Sequence, residues 1–243
     1  MPELCRIKRF PVEHCLLNTH QRYKFRIFTT LQNACCLIPK TAIMENPIPS
    51  QENGRQMDVV DQVVFKSSED ALEFYEVAKE RLLDVNQWAK ISNLPSAAFG
   101  LCDATGAEVH RHVKVGDHFK INIPGPGNSI GDGFDWVKVE FVKEEQIDGA
   151  DTLSIRVRPA PNPNSNEDAT AHFFTDGATS TFQVKRMGKE VTAEVHGRNE
   201  EANTETGHLL DNARNTLIGV PAKLGMSFPQ WKGLTSGLVK KVY

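Results

Sequence analysis

The rhythm of apolar and polar positions changes four times along this chain. It becomes regular at Met57, where "MDVVDQVVF" opens a valine-rich run that predicts a strand over 58–67. A three-to-four spacing follows in "EDALEFYEVAKERLLDVNQWAK". Leu72, Tyr75, Leu82, Val85 and Trp88 fall on one side, with Glu69, Glu73, Glu76, Lys79 and Glu80 on the other. That pattern predicts one long surface helix with a single buried stripe. Ser67 or Ser68 is its cap, and the acids Glu69 and Asp70 complement the dipole of its first turn.

The period then shortens to two. Strands are predicted at about 96–102, 108–114, 117–123, 134–144, 152–158, 169–175, 179–187 and 190–197, with turns such as "DATGAE", "DGAD", "FTDGAT" and "RMGKE" between them. In the last pair, Phe182 and Val184 alternate with Gln183 and Lys185, and Val191, Ala193 and Val195 with Thr192 and Glu194. Each strand thus has one dry face and one wet face. After Gly197 the polar connection "RNEEANTETGHLL" leads to a helical pattern with Asp211 as N-cap and Leu217, Val220 and Leu224 on one face. Pro221 is expected to kink or end that helix, and Gly225 to terminate it. A capping box, Ser227-x-x-Gln230, starts another, with Trp231, Leu234, Leu238 and Val242 as its stripe. The pattern predicts an α+β fold: a curved antiparallel sheet of about seven to nine strands, packed against one N-terminal helix and C-terminal helices.

Composition alters this picture at the N-terminus. Residues 1–43 hold four of the five cysteines (Cys5, Cys15, Cys35, Cys36) and a net charge of +5, leaving −8 for the remainder of a chain whose total is −3. No zinc-type C-x2-C spacing occurs among those cysteines. The segment shows little periodicity, and "MENPIPSQENGRQ" after it reads as a polar linker. Residues 1–56 are therefore expected to be an extension outside the regular domain, with 57–243 a single domain; a basic targeting arm is the alternative for 1–43. Cys102 then stands alone in the domain, with no disulfide framework, which fits a reducing cytoplasm. The overall charge does not point to nucleic acid, no stripe of aromatic and basic residues suits base stacking, and no apolar run reaches the roughly 20 residues of a membrane span.

The order strand, helix, antiparallel strands, C-terminal helix resembles the START-related helix-grip superfamily, which includes polyketide cyclase-like proteins. "DQVVFKSSEDALEFYEVAKERLLDVNQW" resembles its opening strand and helix, "VKVGDHF" a recurrent turn, and "STFQVKRMGKEVTAEVHG" the last hairpin before the final helix. The resemblance spans about residues 57–241. It implies a curved sheet gripping the C-terminal helix around a cavity for a small hydrophobic, lipid- or polyketide-like ligand, with no cofactor. Two features depart from it: one long helix where two short ones are usual, and the interruption at Pro221 and Gly225.

Candidate chemistry is sparse. "HRHVKVGDH" brings His110, His112, Asp117 and His118 together in sequence, and in a strand His110 and His112 would share a face as two metal ligands do. An exposed polar strand beside a turn explains the same pattern, and no metal is favoured. Cys102 with a histidine could make a nucleophile pair, although a buried thiol in a strand is the commoner state. Asp132, beside the glycine-rich "PGPGNSIGDG" (124–133), could act as an acid or base, although Asp132-Gly133 is also ordinary turn chemistry. That loop is not expected to cradle phosphate. A strand rather than a helix follows it, and Pro124 and Pro126 remove two backbone donors. It reads as a long hairpin connection flanking a cavity mouth.

Three readings follow. The first is a cavity protein binding a hydrophobic ligand without catalysis, lined by Phe119, Trp136, Phe182, Leu217 and Leu224. The second is an enzyme, either a cyclase or hydrolase using that cavity or a metal enzyme using the His110-x-His112 strand. The third is an interaction module presenting Met226, Phe228 and Trp231.

Overall fold

The valine-rich opening forms strand β1 (Arg55–Val64), which begins two residues ahead of the regular pattern. The computed structural model describes residues 46–92, 97–123, 127–204, 211–213, 215–216 and 228–241, all within the unit Met44–Tyr243. Residues 1–43, Leu217, Pro221, Leu224, Gly225 and Met226 lie outside them.

Helix α1 (Ser68–Leu83) is capped by Ser67, whose hydroxyl accepts from the Asp70 N–H at 3.1 Å. Its buried face is Ala71, Tyr75, Ala78 and Leu82, and Leu72 is exposed. Two alanines allow the helix to lie close to the sheet. The helix does not run on to Trp88 as its periodicity predicts. It stops at Asp84 (φ −91°, ψ 78°), a 3₁₀ turn covers Val85–Gln87, and α2 (Trp88–Ser92) follows. Tertiary hydrogen bonds account for the break. Asn86 donates to the Val109 carbonyl (3.0 Å) and accepts from the Leu101 N–H (3.0 Å), while the Leu83 carbonyl accepts from Val113. The single long helix expected is therefore a 16-residue helix followed by a 3₁₀ turn and a five-residue helix.

Strands β2 (Ala98–Cys102), β3 (His118–Asn122), β4 (Asp135–Ile147), β5 (Ala150–Pro159), β6 (Thr179–Met187) and β7 (Glu190–Glu200) form an antiparallel meander. With β1 beside β7, the order is β1-β7-β6-β5-β4-β3-β2 in one curved seven-stranded sheet. Two predicted strands do not form. In 108–114 only Glu108 makes a bridge, to Cys102, and in 169–175 only Phe174 does, to Ala202. Each touches a strand at a single point, Val109 N–H donating to the Leu101 carbonyl of β2 and the Ala171 carbonyl accepting from Trp136 of β4, without continuing as a ladder.

The C-terminal helix α3 (Phe228–Leu238) buries Leu234 and Leu238 against the sheet, in the same core as Val59, Val139, Ile155, Val184 and Val195. Lysines in and just after it guard the open edge of β1: Lys232 donates to the Val60 carbonyl and pairs with Asp61, and Lys241, beyond the helix end, donates to the Val64 carbonyl. Covered acceptors deny a second strand its partners. Residues 46–53, read as linker, lie along the sheet. The Pro47 carbonyl accepts from Thr181, and Gln51–Asn53 bond to Asn199.

Candidate functional site

The concave face of the sheet is apolar, and its centre is filled by aromatic rings. Trp88 sits among Phe99 (5.5 Å between centroids), Phe119 (5.5 Å) and Phe182 (4.8 Å), and Trp231 of α3 closes on Phe182 at 5.4 Å. Trp88 donates its indole N–H to the Leu82 carbonyl at the helix break. The interruption of the long helix thus delivers the largest ring to the middle of the concave face. Phe119 and Phe182, both expected as lining, meet here through Trp88.

Trp136 does not join them. It neighbours Val137 on β4, and adjacent residues of a strand face opposite ways. Val137 lies in the concave core, whereas Trp136 packs on the convex side with Cys102, Ile130 and Ala171. Leu217 and Leu224 lie outside the described residues.

Toward the other end of the concave face, β7 changes character. Asn199 adopts a left-handed conformation (φ 55°), and the pairing with β1 slips between Arg55 and Met57. This bulge returns Glu200 to the concave face that Val195 and Gly197 already share. The residues before β1 brace it: the Asn199 side-chain oxygen accepts from the N–H groups of Glu52 (2.7 Å) and Asn53 (3.2 Å), and the Gln51 side chain accepts from the Asn199 N–H (3.0 Å). Glu200 then lies over Gly197, where a Cβ would overlap its Oε1 and stand 2.9 Å from its carboxyl carbon. The residue is only 4% exposed, and among the described residues its buried Oε2 has no hydrogen-bond partner. Burial pushes its carboxyl up to about 7, against the opposing pull of the Arg55 and Arg198 guanidinium groups. Glu200 was not among the residues singled out by sequence, because "RNEEANTETG" has the composition of a solvated connection. The signal available was Gly197, since a glycine inside a strand marks a close approach.

The histidine cluster is dispersed. Residues 109–114 form no strand, so His110 and His112 share no strand face. His112 is exposed and meets Glu80 at 2.9 Å. Asp117 is buried, gripped by both Arg111 nitrogens (2.6 and 2.8 Å) and by the Lys114 N–H (2.8 Å), so its carboxylate is committed to shaping the turn. Among the described residues, no group of three or more His, Cys, Asp or Glu side chains could hold a metal ion.

His118 pairs across the strands with Cys102, which places both side chains on the convex face. Burial raises the thiol and lowers the imidazole, so each is held in its neutral form. A nucleophilic pair requires the reverse, a thiolate stabilised by an imidazolium.

The glycine-rich loop, described from Gly127 onward, is a buckle. Asp132 (φ 52°) and Gly133 (φ 90°) turn the chain, and the Asn128 side chain accepts from the Ile130 and Gly131 N–H groups. The Asp132 carboxylate accepts from Asn162 at 2.9 Å. Asp211, expected as a helix cap, turns its buried carboxylate to this loop, accepting from Ser129 N–H (2.8 Å), Ser129 Oγ (2.5 Å) and Ile130 N–H (3.3 Å). No helix begins after the loop, as β4 follows at Asp135.

A surface cleft of about 540 Å³ lies between the ends of α1, α2 and α3, among Glu80, Arg81, Asp84, Lys90, His112 and Lys240. Its central cation serves the fold: Arg81 donates to the carbonyls of Gly237 (3.2 Å), Leu238 (2.9 Å) and Lys240 (2.8 Å), capping α3.

These elements define an α+β fold of the helix-grip kind, in which a curved antiparallel sheet holds helices against its concave face. No family model and no curated protein matches the chain. Solved structures of similar outline include a hypothetical protein from Helicobacter pylori, with 13% identity over 79% of this chain and 96% of that one and a TM-score of 0.40. Ginseng major latex-like protein 151 from Panax ginseng shows 17% identity over 70% and 97%, with a TM-score of 0.29. Truncated norcoclaurine synthase from Thalictrum flavum shows 12% over 80% and 100%, with a TM-score of 0.34. Likenesses at this level carry no functional weight, and the helix-grip description rests on the sheet order and helix placement of this chain.

Proposed function

We propose that the protein binds a small hydrophobic ligand between the concave face of the sheet and the C-terminal helical region, at the end marked by Met57, Gly197 and Glu200, without transforming it. One observation carries this reading. A bulge braced by Asn199 places a buried carboxyl, one oxygen of which has no partner among the described residues, opposite Arg55 at the edge of the apolar face that holds Met57 and Val195. Ligand sites are mostly apolar with a few placed polar groups, and an unsatisfied buried polar atom costs free energy that a ligand can return. The centre of the face, filled by Trp88 and its neighbours, serves as a rigid floor for such a site. Cys102, buried and free, is in keeping with a reducing compartment.

Native mass spectrometry of the purified chain, with organic extraction, tests this directly. The expected result is a co-purifying apolar small molecule, or saturable binding of a naphthalene dye with blue-shifted emission. Neither adduct nor saturable dye binding would sink the proposal.

A further inference from the structure

Glu200 is held in place by more of the chain than a surface glutamate requires. Gly197 leaves room for it, left-handed Asn199 turns it inward, and Gln51, Glu52 and Asn53 hold that turn. Gly54 (φ 66°) lets the brace pass the end of β7, because a Cβ there would stand 2.7 Å from the Glu200 carbonyl oxygen. All of this delivers a carboxyl whose Oε2 meets no hydrogen-bond partner among the described residues.

The charged groups around it narrow the chemistry it can receive. Arg55 on β1 and Arg198 on β7 are the cations acting on it. Arg198 is already spent, donating to Asp58 (2.7 Å) and to the carbonyls of Met57 and Gly197. From α3, Lys232 is paired with Asp61. A cationic ligand would meet the field of two guanidinium groups. An anionic one would have to be desolvated beside a carboxyl that burial already resists ionising. A protonated carboxyl offers one O–H donor, and its natural complement is a neutral oxygen acceptor.

We propose that Glu200, in its protonated form, donates a hydrogen bond to a neutral carbonyl oxygen (ketone, quinone, ester or lactone) on an otherwise apolar ligand, and so makes binding pH-dependent. This rests on the cavity reading above. Burial holds the carboxyl protonated up to about 7, so the donor is present in mildly acidic solution and absent in mildly alkaline solution.

The test uses the full chain and two neutral naphthalene probes: 6-propionyl-2-(dimethylamino)naphthalene, which has a ketone, and 2-(dimethylamino)naphthalene, which does not. Fluorescence titrations at pH 5.5 and 8.5 should show the ketone bound on the order of tenfold more tightly at the lower pH, with the carbonyl-free probe indifferent to pH. Glu200→Gln should retain ketone binding but lose the pH dependence, since an amide N–H donates at both values. Glu200→Leu should reduce ketone affinity to that of the carbonyl-free probe. Equal ketone affinity at both pH values in the unsubstituted protein, or unchanged ketone affinity in Glu200→Leu, overturns the proposal while leaving a cavity that still binds the carbonyl-free probe. Failure of both probes to bind removes the cavity reading and this inference with it.

Discussion

Glu200 and Gly197 form a pair in which each residue explains the other. A methyl group at 197 would occupy the space of the Glu200 carboxylate, so Gly197→Ala should destabilise the fold by roughly 1–3 kcal/mol, the usual cost of overpacking. In a Glu200→Ala background the same change should cost little, and a double-mutant cycle by urea denaturation measures the difference. Ionisation supplies a second test. The carboxyl is raised from an ordinary 4.5 to about 7 in the folded chain, so its contribution is fully present below pH 4.5 and is lost as pH rises through 7. That loss amounts to roughly 3 kcal/mol, at about 1.4 kcal/mol for each tenfold change in the ionisation constant. Glu200→Gln should flatten this decline between pH 5 and 8 in thermal unfolding.

The opposite sign holds on the convex face. Glu194 bonds to both Lys185 (2.8 Å) and His196 (2.9 Å), and although burial works against it, these partners pull its carboxyl down to about 2. Its contribution is present above pH 4.5 and disappears as pH falls through 2. His196 spans Glu194 and Asp58, and Asp58 is lowered by the same histidine and by Arg198. Glu194→Gln should therefore move the acid-unfolding midpoint, followed by tryptophan fluorescence, to higher pH.

At the scale of elements, two side chains do what backbone periodicity cannot. Asn86 breaks a pattern that would otherwise run on as helix, by bonding to Leu101 and Val109, and the break brings Trp88 to the concave face. Removing that ring leaves Phe99, Phe119 and Phe182 around a void, so Trp88→Ala should cost roughly 3–5 kcal/mol, read as a shift in the denaturant midpoint. Asp211 ties the helical residues 211–213 to the glycine-rich loop with three hydrogen bonds. Asp211→Ala should strip protection from the amides of Ser129 and Ile130 in hydrogen exchange, at a cost of roughly 2–4 kcal/mol. Unchanged protection would show that the loop holds itself.

For the whole molecule, the alternation of residues was sufficient to lay out β6 and β7 and to place Phe182, Val184, Val191 and Val195 on the core side. A period of two, sharp turns and a one-sided apolar face are local properties, and the antiparallel meander they describe needs only neighbour-to-neighbour pairing. The same logic failed at 108–114, where the alternation was real but pairing with β2 stops after Glu108 and Val109, and Arg111 and Lys114 bond to Asp117 in the next turn. It failed again at Trp136, a large ring whose apolar character suggested lining but whose parity with Val137 sent it to the convex side. Asp211 shows a third limit, since a local cap signal carries no record of the distant loop that presents three donors to its carboxylate.

The sequence by itself determined the α+β class, the antiparallel order of most of the sheet and the exclusion of a phosphate cradle at 124–133, because these depend on spacings of two to four residues. Only the tertiary structure decided where the helix breaks, which rings meet at Trp88 and which carboxyl enters the concave face. Each of those depends on a bond between residues far apart in the chain. The bulge at Asn199 is braced by Gln51, Glu52 and Asn53. No periodicity within "RNEEANTETG" records that one of its glutamates is turned inward.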